Sequence, residues 1–94
     1  YVELGPGRGT LARDALGAAA KQGLKPQVHF VETSATLRKL QREAFPDCIH
    51  HHDISTLPDD APLLIVANEF FDALPVQHLI RSTDGWYGRM VGLE

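Results

Sequence analysis

The fold of this chain is decided by one stretch near its beginning, Glu3-Leu4-Gly5-Pro6-Gly7-Arg8-Gly9-Thr10. Its three glycines stand at alternate positions, between a short apolar run and a segment with helical spacing. Glycine lets the backbone turn sharply and approach a ligand, because no Cβ stands in the way. A helix that begins near Thr10 directs its free N–H groups and positive dipole end at the same space. The stretch therefore predicts a strand, a ligand-binding loop and a helix, although a tight turn that binds nothing would also fit.

The rest of the chain alternates strands and helices. Helices are predicted at 10–22 and 33–45, the second with an apolar stripe of Leu37, Leu40 and Ala44. Strands are predicted at 1–4, 28–32, 48–52 and 63–67. Such alternation indicates an α/β fold around a parallel sheet, and the unbroken apolar run 63–67 suits a strand buried on both faces. Right-handed crossovers then place the carboxyl ends of the strands at one edge of the sheet, where ligands bind.

The last part of the chain, 76–94, predicts an antiparallel β-hairpin. Apolar segments at 76–81 and 86–93 flank the turn residues Ser82-Thr83-Asp84-Gly85. We interpret 1–94 as one partial domain that contains this hairpin. Because the chain opens inside a predicted strand at Tyr1 and ends after another, we expect it to be a fragment that is inactive alone.

Two acids lie at the carboxyl ends of predicted strands, beside the glycine loop. Glu3 precedes Gly5 by two residues, and we assign it to the ligand site. Glu32 ends the second strand, 23 residues after Gly9, close to the roughly 20 expected for an acid that binds the two hydroxyls of a ribose. A solvated acid that interacts with the dipole of the next helix would also explain Glu32.

Two further loops end at the same edge of the predicted sheet. Asp53 follows the third strand, where its carboxylate could accept a hydrogen bond from an exocyclic amine such as that of adenine, while Ile54 packs on the ring. An ordinary loop aspartate explains Asp53 equally well. Asn68, assigned to the ligand site, follows the fourth strand. Glu69 and Asp72 come next, and in a helical turn they would share a face suited to a cationic substrate, although helix caps beside core phenylalanines are an alternative.

Composition excludes several classes of protein. The net charge of −3 and the lack of a basic run exclude the electrostatic surface of a nucleic-acid binder. No apolar run approaches the ~18 residues of a membrane-spanning helix. The lone Cys48 cannot form an internal disulfide. We expect no metal, because His50-His51-His52 has no further ligand at a recognisable spacing.

Three stretches together resemble the MidA-like methyltransferases: the loop 3–11, Val31-Glu32-Thr33-Ser34, and Asn68-Glu69-Phe70-Phe71-Asp72-Ala73-Leu74-Pro75-Val76. The last is the most specific, because glycine loops with the G-x-G-x-G spacing occur throughout the class I methyltransferases. The resemblance implies a Rossmann-like three-layer α/β sandwich with a mostly parallel sheet that binds S-adenosylmethionine (SAM). It also implies that the loop 5–9 faces the methionine part of SAM, Glu32 holds the ribose, and Asp53 with Ile54 flanks the adenine.

The same resemblance implies a function. Mitochondrial members of the family are assembly factors for respiratory complex I that methylate an arginine of a protein subunit, so we expect a protein substrate. We expect a mitochondrial location for a eukaryotic protein and a cytoplasmic one for a bacterial protein. Glu69 and Asp72 are the candidates for orienting the acceptor and taking its proton. Two rivals remain: an assembly factor that binds SAM without catalysis, and a nicotinamide-dependent oxidoreductase, which the G-x-G-x-G spacing disfavours.

Overall fold

The computed structural model describes residues 1–93, so Glu94, the last residue of the predicted hairpin segment and domain, lies outside it. Within these residues the helices are α1 (Thr10–Lys21) and α2 (Ala35–Ala44). The strands are β1 (Val2–Leu4), β2 (His29–Val31), β3 (Ile49–His51), β4 (Ile65–Val66), β5 (Leu79–Ser82) and β6 (Gly85–Gly88). Short 3₁₀ turns at Ile54–Thr56 and Phe71–Ala73 follow β3 and β4. This order confirms the predicted alternation of strands and helices.

The first four strands form one parallel sheet in the order β3-β2-β1-β4. The chain moves outward from β1 through β2 to β3, and it then returns to place β4 on the other side of β1. The strand order therefore reverses between β1 and β4, and ligands bind at such a reversal in open α/β sheets. All four carboxyl ends lie at the same edge, as the sequence predicted.

The two faces of the sheet are covered differently. Register places Glu3, Phe30 and His50 on one face, because parallel partners share a face. This is the face under the helices: the ring of Phe30 meets that of Phe45, at the end of α2, edge to face at 5.3 Å. The opposite face carries Val2, Leu4 and Val31, and here the loops after β3 and β4 supply the packing, through Leu57, Ala67 and Phe70. The described residues thus contain the sheet and one helical layer of the sandwich.

Local sequence explains where the helices begin and end. The Ser34 hydroxyl accepts a hydrogen bond from the Leu37 N–H at 3.3 Å, which caps α2 as a serine at this position does in many helices. After α1, Gly23 has a φ of +76°, and the N–H groups of Gly23 and Leu24 donate to the carbonyls of Ala20 and Ala19. This is the Schellman arrangement, in which glycine supplies the left-handed residue that ends the helix.

Two details differ from the predictions. Of the predicted strand 63–67 only Ile65–Val66 pairs, and Ile65 is 51% exposed, so the prediction of burial on both faces was wrong. The reason is position: β4 is an edge strand that pairs only with β1 among the described residues. The hairpin is confirmed but is shorter than predicted, because pairing stops at Leu79 and Gly88. At the other end, Ser82 pairs with Gly85, so the turn has two residues. No helix in residues 1–93 is long and apolar enough to cross a membrane.

Candidate functional site

The glycine loop makes a compact turn between β1 and α1. The Gly5 N–H donates to the Val31 carbonyl at 3.0 Å, and the Gly9 N–H donates to the Pro6 carbonyl at 2.8 Å. Gly5, Gly7 and Gly9 have φ values of +65°, +56° and +77°, a region that side chains with a Cβ disfavour. The loop therefore needs glycine at all three positions on backbone grounds alone.

The space around the three glycines separates their roles. A Cβ at Gly5 would lie 2.8 Å from Cδ2 of Phe70, and one at Gly9 would lie 2.6 Å from Cε2 of Phe45. These two glycines are required by packing. A Cβ at Gly7 would meet no atom within 4 Å, so this side of the loop is open where the N-terminus of α1 begins. An anion at that place would meet unpaired N–H groups and the positive end of the helix dipole.

Glu32 lies at the carboxyl end of β2 and is only 8% exposed. Its Oε1 accepts a hydrogen bond from the Ser34 N–H at 2.9 Å, and its Oε2 accepts one from Nε2 of Gln41 at 3.4 Å. A carboxylate offers about four lone-pair positions, so both oxygens keep the capacity to accept bonds from two hydroxyls. The carboxylate is thus held in place by its own chain while remaining able to bind a diol.

Gln41 is the residue that the sequence analysis missed. It projects from α2 and is fully buried, at 0% exposed. Its Nε2 donates to the Gly7 carbonyl at 2.7 Å and to Glu32, and its Oε1 lies 2.8 Å from Nε2 of His50 on β3. The predicted apolar stripe of α2 does not mark its buried side, since Leu40 and Ala44 are exposed while Gln41 is buried. The buried amide is tolerated because each of its polar atoms has a partner.

Asp53 and Ile54 lie at the rim of an apolar cavity of about 450 Å³ on the face of the sheet opposite the helices. Leu4, Val31 and Phe70 also line this cavity. Oδ1 of Asp53 accepts hydrogen bonds from the N–H and hydroxyl of Ser55, which cap the following 3₁₀ turn and lower the pKa of the carboxyl. Oδ2 of Asp53 lies 4.0 Å from Nδ1 of the exposed His52. The cavity has the size and apolar lining of a small-molecule site.

Glu3 is placed differently from the other candidate residues. It is buried beneath the helices, and its Oε2 accepts a hydrogen bond from the Tyr1 hydroxyl at 2.8 Å. Burial raises the pKa of this carboxyl. Its side-chain partner thus lies toward the start of β1, away from the loop. The assignment of Glu3 to the ligand site stays a prediction, since its carboxylate makes no hydrogen bond to the loop glycines or to Glu32.

Beyond Ala67, residues 68–76 are exposed except for Phe70, which packs against the core beneath Gly5. Glu69 has a φ of +51°, a conformation that is uncommon for a residue with a side chain and that concentrates at functional sites. The following turn covers only Phe71–Ala73, so Glu69 lies outside it. The helical spacing that put Glu69 and Asp72 on one face therefore does not apply. Asn68, Glu69 and Asp72 all remain exposed at the ligand edge.

The neighbouring histidines have protein partners. His51 is buried, with Nε2 lying 2.9 Å from Nδ1 of His29 and Nδ1 lying 2.8 Å from the Thr56 hydroxyl. His50 lies against Gln41, and burial lowers its pKa. Within residues 1–93 no group of three or more His, Cys, Asp or Glu side chains is arranged to hold a metal ion.

Comparison with known proteins gives these features a context. A family model described as "Putative S-adenosyl-L-methionine-dependent methyltransferase" matches residues 1–94. The chain is 40% identical over 89% of its length to "Protein arginine methyltransferase NDUFAF7 homolog, mitochondrial" of Drosophila melanogaster. It is 34% identical over 90% of its length to the protein of the same name in Caenorhabditis elegans, and 32% identical over 99% to "Protein arginine methyltransferase NDUFAF7, mitochondrial" of Xenopus tropicalis.

The chain spans about a quarter of the length of these relatives, between 25% and 28% of each. The family model covers the loop 5–9, Glu32 and the segment 68–76 on which the resemblance was based. The chain therefore belongs to this family of S-adenosyl-L-methionine-dependent methyltransferases, the MidA-like proteins that its motifs predicted.

Proposed function

We propose that the protein containing this chain is a SAM-dependent protein arginine methyltransferase and that this segment supplies most of the cofactor site. The observation that carries the proposal is the combination of an open Gly7 with a fixed Glu32 at the carboxyl ends of the neighbouring strands β1 and β2. Membership of the family supports SAM as the cofactor. The arginine acceptor rests on the names of the curated relatives.

The residues present fit such a cofactor. The open side of Gly7, at the N-terminus of α1, suits the carboxylate of the methionine part. Glu32 keeps lone pairs for the ribose hydroxyls, and the apolar cavity beside Asp53 and Ile54 suits the adenine ring. Asn68 lies next to this region at the end of β4 and is proposed as a further contact. The donor set thus matches the three chemically different parts of SAM.

When bound, SAM supplies a methyl group activated on a sulfonium. The protein's own contribution is to hold donor and acceptor in line, which lowers the barrier without covalent catalysis. An arginine guanidinium is protonated at neutral pH, so it must be oriented and must lose a proton as it is methylated. Glu69 and Asp72 are exposed carboxylates at the ligand edge, and we propose that they bind the cation and accept that proton. A guanidinium nitrogen is therefore expected to approach from the β4 side.

The acceptor implies a protein partner. We propose that the acceptor arginine belongs to a protein substrate, and that a eukaryotic source places the protein in mitochondria, as the names of the relatives state for them. For a bacterial source we propose the cytoplasm. The negative net charge suits a cationic segment as the substrate better than a nucleic acid.

Calorimetry of the full-length protein tests the cofactor. We expect binding of SAM and of its demethylated product S-adenosylhomocysteine, and no binding of NAD. Micromolar affinity for NAD with no response to SAM would favour the oxidoreductase instead. A radiolabelled-methyl assay against extract then separates an enzyme from an assembly factor: the enzyme labels a protein on arginine, whereas the assembly factor binds SAM and labels nothing.

A further inference from the structure

We propose that Gln41 is a positioning residue of the cofactor site, oriented by His50, that sets the Gly7 peptide and the Glu32 carboxylate together. The inference rests on the proposed SAM site and names the residues that assemble it. Gln41 comes from α2, Gly7 from the loop after β1, Glu32 from the end of β2 and His50 from β3. One buried side chain thus joins the structures proposed to hold the methionine and ribose parts.

The chemistry of its partners dictates how the Gln41 amide is turned. The Gly7 carbonyl and the Glu32 carboxylate are both acceptors, so both must face the amide NH₂, which has two hydrogens to donate. The opposite orientation would place the amide oxygen against two other oxygens in a buried site, a costly arrangement. The amide oxygen therefore faces His50, and Nε2 of His50 must carry a hydrogen to donate to it.

The contact between His50 and Cys48 agrees with His50 as the donor to Gln41. With Nε2–H as donor, Nδ1 of a neutral His50 is an acceptor, and it lies 3.7 Å from the sulfur of Cys48. Burial raises the pKa of the Cys48 thiol and lowers the pKa of His50, so a thiol that donates to a neutral imidazole is the favoured state. Cys48 thus donates to His50, His50 donates to Gln41, and Gln41 donates to the residues of the proposed cofactor site.

The bond to Gly7 has a consequence for ligand binding. A peptide unit is planar and trans, so the N–H of Arg8 points away from the carbonyl of Gly7. Because that carbonyl is drawn inward by Gln41, the Arg8 N–H is turned outward, and it has no acceptor among residues 1–93. Gln41 therefore fixes the peptide that carries this backbone donor, next to the open Gly7 where we place an anionic group.

The second bond has a matching consequence for Glu32. Without the hydrogen bond from Gln41, the carboxylate would be held only by the Ser34 N–H through Oε1, and the carboxylate plane would be free to rotate. A ligand diol would then have to order the carboxylate as it binds, which lowers affinity. Loss of Gln41 should thus weaken contacts with both parts of the cofactor, whereas loss of Glu32 should affect only one.

Binding of S-adenosylhomocysteine to full-length variants, measured by calorimetry, tests the proposal. Gln41→Glu keeps the shape but opposes oxygen to oxygen at both partners, and Gln41→Leu removes all three bonds. Each should weaken binding by about tenfold or more, the range for hydrogen bonds that involve a charged group. The exposed Gln22 provides the matched controls Gln22→Glu and Gln22→Leu, which should bind like the parent.

Rescue and coupling distinguish positioning from general packing. His50→Leu should weaken binding, while His50→Gln should recover most of it because the glutamine amide can present an N–H near the Nε2 position. In a double-mutant cycle, Gln41→Leu combined with Glu32→Gln should cost less than the sum of the single changes. Additive losses, or equal losses for His50→Gln and His50→Leu, would show that the network only packs.

Two outcomes separate this inference from the proposed function. If the parent binds S-adenosylhomocysteine and the folded Gln41 variants bind it equally well, the inference is wrong and the SAM site stands. If the parent does not bind it, both are wrong. Should the variants fail to fold, nitrogen NMR of the parent still decides the direction of the network: the Nε2–H tautomer of His50 supports it, and the Nδ1–H tautomer overturns it.

Discussion

The three loop glycines look equivalent in sequence, but their surroundings differ in the structure. Gly5 and Gly9 lie against Phe70 and Phe45, so a larger residue there would disturb the core. Gly7 has the same left-handed backbone but faces open space. The alternate spacing could predict a tight loop, because backbone demands are local. It could not show which glycine faces open space, because that depends on side chains more than 30 residues away in the chain.

Replacing Gly7 by valine should abolish cofactor binding and leave the full-length protein folded. The new side chain enters the open side of the loop, and the left-handed backbone should cost about 1–2 kcal/mol of stability. Calorimetry with SAM and a thermal melt measure the two effects separately. Gly23→Val is the matched control: Gly23 has a φ of +76° and nothing within 4 Å of a Cβ, but it ends α1 far from the loop. It should lose similar stability and retain SAM binding, and a Gly7→Val protein that binds SAM normally would make the loop purely structural.

The positions of side chains at the carboxyl edge of the sheet could be predicted where they depend on residues nearby in the chain. Glu32 follows from its position at a strand end, and the structure places it beside the loop through Gln41. Asp53 caps its own turn by accepting a hydrogen bond from the Ser55 N–H, a local role that aspartates often take in turns. Gln41 had no sequence signal at all, because a polar residue on a helix is ordinarily exposed. Its burial depends on acceptors from two other elements.

At the scale of elements, the sequence determined the order and type of structure better than its burial. Helix caps and stops are local, so Ser34 and Gly23 mark α2 and α1 correctly. The apolar run 63–67 predicted a buried strand, yet its pairing residues lie at the sheet edge with β1 as the neighbour. An apolar run shows that a surface is suited to burial, but it does not specify which element covers it. The segment after β4 shows the same limit, since the left-handed Glu69 could not be foreseen from helical spacing.

The segment after β4 should contribute to turnover more than to cofactor affinity. Glu69→Gln and Asp72→Asn keep shape and hydrogen bonding but remove charge and basicity, and the glutamine inherits the unusual backbone of Glu69 unchanged. Loss of a positioned base commonly lowers the rate by about 10²–10⁴-fold. We therefore expect normal SAM affinity by calorimetry and slow methyl transfer to the protein acceptor in the radiolabel assay.

A control separates this effect from a change in overall charge. Asp59→Asn removes an exposed carboxylate from the loop between β3 and β4, so it should leave the rate unchanged. If Glu69→Gln and Asp72→Asn both label the same acceptor at the parental rate, these two acids are structural. The group that accepts the proton then lies elsewhere in the full-length protein.

At the scale of the whole molecule, titratable side chains lie buried or half-buried on both faces of the sheet. His29 lies on the face opposite the helices, near His51 and Asp60, and burial is the main cause of its lowered pKa. His50 lies under α2, where burial and the charges of Arg42 and Arg38 lower its pKa although Glu32 acts in the opposite direction. Glu3 is also buried, and its pKa is raised. The stability of the fold must therefore depend on pH.

The sign of that dependence follows from the proton counts. In the window between the lowered pKa values of His29 and His50 and their ordinary value of 6.5, the unfolded chain binds more protons than the folded one. Stability then rises with pH through the window and is lost as the pH falls below about 6.5. The raised pKa of Glu3 has the opposite effect on stability, but it acts in a pH range that starts from the lower ordinary value of 4.5.

Urea denaturation of the full-length protein from pH 8 to pH 5.5 should therefore show falling stability on acidification. The double variant His29→Gln, His50→Gln should have a flatter profile, while the exposed His78→Gln should keep the parental slope; a parental slope in the double variant would mean that other groups take up the protons.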